Sequence, residues 1–135
     1  MNVWLALATP EHAHAAVARR WWEEEGGAIA FSRLTQLGLL RLMTTAAVMD
    51  DKPLSMAEAW RVYDRFYDDD RVIFMAEPPE AEKRFREKAA GRNVSPKVWA
   101  DAWLLAFAET AEGVLVTFDR ALGLRGGRCL LAKRG

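Results

Sequence analysis

Two aspartates stand where the chain is otherwise apolar. Residues 97–112 read as a helix, and between its ends run Val98-Trp99-Ala100-Asp101-Ala102-Trp103-Leu104-Leu105-Ala106-Phe107-Ala108-Glu109. Asp101 is the sole charge between Lys97 and Glu109. A carboxylate among apolar side chains needs a cation, a metal ion or a hydrogen-bond donor, because burying it unpaired is costly. Its place near a helix N-terminus favours negative charge. The plain reading is a structural ion pair with Arg41 or Arg33; the functional one is a metal-ligating acid. Asp119 follows the apolar run Val114-Leu115-Val116-Thr117. Open α/β sheets usually carry their sites just beyond the carboxyl ends of the strands. Thr117-Phe118-Asp119-Arg120 would set a hydroxyl and a carboxylate there. The plain reading of Asp119 is a turn or helix-capping residue. Mg²⁺ and Mn²⁺ prefer such oxygen ligands, and metal-assisted phosphodiester hydrolysis gathers several carboxylates.

Other chemistries fit poorly. Neither GxGxxG nor GxxxxGK[ST] occurs, nor a GxSxG elbow; Gly26-Gly27 and Gly126-Gly127 read as turns. The single cysteine, Cys129, precludes an intrachain disulfide and a cysteine zinc cluster, and reads as a buried strand residue. His12 and His14 are two apart and cannot share one helical face, so surface or capping roles are expected. Lys plus Arg and Asp plus Glu both number 19, which excludes a globally basic nucleic-acid coat. Five bases and no acid follow from residue 120 onward, either solvated surface or a phosphate-tracking patch. The apolar stretches are too short for a membrane span and no secretion signal is visible, so a cytoplasmic location is expected.

The elements that must position the two acids follow from periodicity. At 135 residues and 51% hydrophobic content the chain suits one domain, residues 1–135, with a core of its own. Helices are expected over residues 11–24, 34–44, 56–67, 78–90 and 97–112, the last capped by Ser95 with Pro96 at its first position and ended by Gly113. Short apolar runs at 28–32, 71–75, 114–117 and 129–131 read as strands. Such alternation implies a parallel sheet covered on both faces. The six tryptophans fall mostly at core spacings, with Trp22 or Trp60 as candidates for exposure.

The chain resembles a PIN-domain ribonuclease, specifically a VapC-type toxin of the mycobacterial subgroup. The matching segments are Asn2-Val3-Trp4-Leu5-Ala6-Leu7 with Pro10, His12 and His14; Phe31-Ser32-Arg33-Leu34-Thr35-Gln36-Leu37-Gly38-Leu39-Leu40-Arg41-Leu42; Val94-Ser95-Pro96 with Trp99, Asp101 and Ala102; and Leu115-Val116-Thr117-Phe118-Asp119-Arg120. The resemblance implies a three-layer α/β/α sandwich around a parallel sheet of four to five short strands. It implies an Mg²⁺- or Mn²⁺-dependent endoribonuclease of a toxin–antitoxin pair, usually dimeric and silenced by a cognate antitoxin. Asp101 and Asp119 match the family's metal-binding acids, Thr117 the neighbouring hydroxyl, and Asn2 the asparagine just after the first acid. Residues 2–8 then become a first helix. Arg33, Arg41, Arg120 and Arg125 are placed to line an RNA groove.

Two departures qualify the match. Family members usually begin with a strand and an Asp just upstream of the residue that Met1 occupies, so a natural start further upstream is expected. Where many members carry a glutamate in the helix after the first matched strand, this chain has Gly38, with Gln36 nearby. Fewer acids mean weaker Mg²⁺ binding, so the 135-residue form is expected to be a weak or dead nuclease and a form with the upstream acid an active one. The competing expectation is a degenerate PIN domain that binds RNA or antitoxin without chemistry. A phosphoacceptor receiver fits worse, since the early acids are lacking and Lys133 is the sole late lysine.

Overall fold

The computed structural model describes residues 2–92 and 95–131. Val94, Lys133 and Arg134, named above, lie outside them. The chain forms two compact units, residues 1–76 and 77–135.

The first unit contains α1 (Asn2–Ala8), α2 (Ala15–Glu24), β1 (Ile29–Phe31), α3 (Arg33–Met43), α4 (Met56–Phe66) and β2 (Val72–Phe74). Residues 2–8 are helical, as the resemblance implies, and bury Val3, Trp4, Leu5 and Ala6. α2 starts at Ala15, later than periodicity suggests; His12 and His14 form the preceding turn, where His12 Nδ1 accepts the His14 N–H at 3.0 Å. Two capping boxes start α3 and α4. The Ser32 hydroxyl accepts from the Thr35 N–H while Thr35 Oγ1 accepts from Ser32. Ser55 and Glu58 repeat the device. β1 and β2 pair in parallel with Ile29 opposite Val72 and Phe31 opposite Phe74. Phe31 and Leu39 are fully buried, and Trp4 stacks on Phe31 with ring centroids 3.7 Å apart. Phe66 and Tyr63 close on the same ring. Such clusters dominate core energetics through area and ring geometry.

Arg71 ties this unit together. It chelates Asp69 through Nε and NH2 and donates from NH1 to the carbonyls of Trp22 and Glu25 at the end of α2. Its guanidinium also lies over the Trp22 ring at 4.7 Å.

The second unit contains α5 (Ala81–Lys88), α6 (Val98–Thr110), β3 (Val116–Thr117), α7 (Arg120–Leu124) and β4 (Arg128–Cys129). α5 packs along α6, with Lys88 and Arg84 both on Glu109 at 2.7 and 3.6 Å. β3 and β4 pair in parallel, Val116 opposite Arg128. The described strands therefore form two parallel pairs, β1–β2 and β3–β4. α7 lies tight against β4: a Cβ on Gly123 would come within 2.9 Å of the Cys129 Cβ.

Both ends of α6 differ from expectation. Its N-cap is Lys97, and Ser95 acts one step earlier, accepting the Lys97 N–H in a lead-in turn. At the other end the left-handed residue is Glu112 (φ 57°), not Gly113. The Gly113 N–H reaches Ala108 O and the Glu112 N–H reaches Glu109 O, a Schellman pattern. The apolar composition of α6 also overstates its burial: Leu104, Leu105, Ala106 and Phe107 are buried, but Trp99 is exposed.

Candidate active site

Asp119 ends the turn that follows β3. Buried Phe118 anchors that turn, so the residue after it must emerge beside the start of α7. The Thr117 hydroxyl accepts the Asp119 N–H at 3.0 Å. Asp119 Oδ1 accepts the N–H groups of Ala121 and Leu122 at 2.8 and 3.2 Å. The capping reading is thus realised, and it commits one carboxylate oxygen to the helix. The other, Oδ2, takes the Lys97 ammonium at 3.1 Å. The Lys97 hydrogen bond and the backbone donors hold the Asp119 carboxyl below its ordinary range.

Asp101 sits in the first turn of α6, half-buried. Among the described residues its carboxylate makes no hydrogen bond or ion pair; the cation that feels it is Lys97. Residues four apart on a helix share a face, so Lys97 and Asp101 do. Asp119, then Asp101, raise the Lys97 ammonium above its ordinary range. Lys97 therefore pairs with Asp119 and stands on the same helix face as Asp101. Arg33 donates to Gln36 and lies over Phe74, and Arg41 is exposed in the last turn of α3.

The structure thus brings Asp119 to Thr117 and to Lys97, which stands four residues before Asp101, with exposed Arg120 next in chain. Asn2, Arg33 and Arg41 belong to the first unit: Asn2 is the exposed first residue of α1, and Arg33 begins α3. Gln36, beside the position where the family's glutamate is wanting, is buried with its oxygen engaged by Arg33. Lys97 was not legible as a site residue, although its spacing of four from Asp101 was the available signal.

The donor set is hard oxygen: the Asp101 carboxylate, Asp119 Oδ2 and the Thr117 hydroxyl. That chemistry fits Mg²⁺ or Mn²⁺ and not a soft-metal site. Among the described residues no group of three His, Cys, Asp or Glu side chains could hold a metal, so two carboxylates would carry the protein's share and water the rest.

The PIN-domain family profile matches residues 1–125, and the chain belongs to that family. It is 43% identical over 132 residues to ribonuclease VapC41 of two Mycobacterium tuberculosis strains, covering 93% of this chain and 90% of the relative. The crystal structure of M. tuberculosis VapC20, described as a sarcin-ricin loop cleaving toxin, superposes with a TM-score of 0.66 at 14% identity. That match covers 93% of this chain and 91% of VapC20, and shows a shared fold. The PIN-like α/β/α class is thereby established. No helix among the described residues is long and apolar enough to cross a membrane.

Proposed function

We propose that this protein is an Mg²⁺- or Mn²⁺-dependent endoribonuclease, the toxin of a toxin–antitoxin pair. Membership of the PIN family and the VapC41 relative support the ribonuclease class. The single observation that carries the site is the Lys97–Asp119 ion pair, made by a lysine four residues before Asp101 in α6. A divalent ion is proposed to take the place of that ammonium between the two acids. Asp101 and Asp119 Oδ2 would hold that ion, with the Thr117 hydroxyl fixing the Asp119 backbone. When bound, it supplies an activated water at neutral pH and neutralises charge on the phosphodiester. Asp119 keeps its orientation because Oδ1 is pinned to α7, which leaves Oδ2 aimed outward. Arg120, exposed beside it, is suited to a backbone phosphate. Asn2, Arg33 and Arg41 are assigned to the site and the RNA path on the resemblance. The two units are read as one PIN domain, since the family profile spans both. A cognate antitoxin, a homodimer and a cytoplasmic setting complete the reading.

The test is cleavage of RNA by the purified chain with Mg²⁺ or Mn²⁺. Chelator-sensitive cleavage that disappears in Asp101→Asn and Asp119→Asn supports the reading; cleavage unaffected by either refutes it. A second reading, a binding module without chemistry, is favoured by the full engagement of Asp119, whose oxygens both have partners. RNA binding without turnover at any divalent concentration would establish that alternative.

A further inference from the structure

We propose that Lys97, four residues before Asp101 in α6, is the resident counter-ion of Asp119, and that a divalent cation enters by displacing its ammonium from Asp119 Oδ2. The inference rests on the metal-dependent reading above and adds an occupant that must leave. Asp119 Oδ1 already accepts two backbone N–H groups. Oδ2 is therefore the oxygen a metal would use, and it is where Lys97 Nζ sits at 3.1 Å. Ammonium and metal compete for the same electron pairs, so both cannot hold them at once.

Three features make Lys97 a replaceable occupant. Its side chain is 70% exposed, so the freed ammonium moves into water with little desolvation to overcome. It makes one hydrogen bond to Asp119, whereas Arg71 grips Asp69 through two nitrogens. An ammonium on a four-carbon stem is a mobile point charge, and an exposed pair of this kind is weak. Lys97 also shares a helix face with Asp101. Lys97 then balances Asp119 without a bound ion, at the cost of competing with that ion.

The test is Mn²⁺ binding to the full chain, followed by loss of the free-ion EPR signal, for the wild type, Lys97→Met and Lys97→Gln. Removing the competitor should tighten binding about fivefold, the effect of one exposed ion pair of about 1 kcal/mol. Neutral variants should also melt lower than wild type in chelator and gain more from Mn²⁺. Equal or weaker binding by both variants, with the wild type binding, overturns the counter-ion role and leaves the metal reading intact. No Mn²⁺ binding by any form, or undiminished binding by Asp101→Asn, overturns both. Should the variants fail to fold, NMR of the wild-type Lys97 side chain decides. Titration with diamagnetic Mg²⁺ should move its Cε and Nζ signals to those of a free lysine; signals that stay put overturn the proposal.

Discussion

Two of the carboxylate–cation pairs among the described residues, Asp69–Arg71 and Asp119–Lys97, are of opposite character. In the first unit Asp69 is chelated by Arg71, whose remaining donors close the end of α2 and whose plane rests on Trp22. In the second, Asp119 takes a single ammonium from a largely exposed lysine. The arginine pair locks chain segments 46 and 49 residues apart in sequence. The lysine pair locks little, and its carboxylate is oriented from behind by α7. Guanidinium geometry suits permanent structure, and an ammonium suits exchange. The surroundings follow the same division. The first unit is built on stacked rings around Phe31 and two capping boxes. The second has two-residue strands and exposed ion pairs.

Breaking the scaffold should cost most. Phe31→Ala removes a fully buried ring and should destabilise by about 3–5 kcal/mol, measured by urea unfolding. A loss under about 1 kcal/mol would mean the aromatic cluster is not what holds this unit. Asp101→Asn should lower RNA cleavage at least about a hundredfold while leaving the unfolding midpoint near wild type. Parallel loss of fold and activity would erase the division between scaffold and site.

Glu112→Gly should stabilise α6 by about 1 kcal/mol, because a residue with a Cβ occupies the left-handed position of the helix stop. Thermal melting checks it; destabilisation would point to an unseen role for the glutamate.

The smallest effects are electrostatic. The Arg71 hydrogen bonds hold the Asp69 carboxyl at about 2, below its ordinary 3.8. A depressed carboxyl contributes stability above its unfolded value and loses it as pH falls through the folded one. The melting temperature should therefore drop between about pH 4 and 2, and less so in Asp69→Asn. In Lys97→Met the Asp119 carboxyl should rise toward its ordinary value, yet stay depressed by the Ala121 and Leu122 N–H groups. Carbon NMR titration reads both carboxyls, and an unmoved Asp119 would deny the pairing.

Much of this was legible in the chain. Phe31-Ser32 followed by Thr35 marks the strand end and cap of α3, since a hydroxyl three residues before another hydroxyl can satisfy orphan N–H groups. Asp101, a lone charge in an apolar run, and Asp119, just past a strand, stand out as candidates because charge placement is local information. The ends of α6 were misjudged because Ser95-Pro96 and Gly113 are favoured cap residues, whereas the helix used Lys97 and Glu112.

Sequence alone determined most of the longer elements, the PIN resemblance and the two acids as candidates, but not α7, because periodicity, caps and isolated charges are properties of neighbouring residues. Only the tertiary structure decided that Lys97 pairs with Asp119. Residues 97 and 119 meet through the packing of α7 and β3 near the start of α6, and no spacing along the chain encodes a contact 22 residues apart.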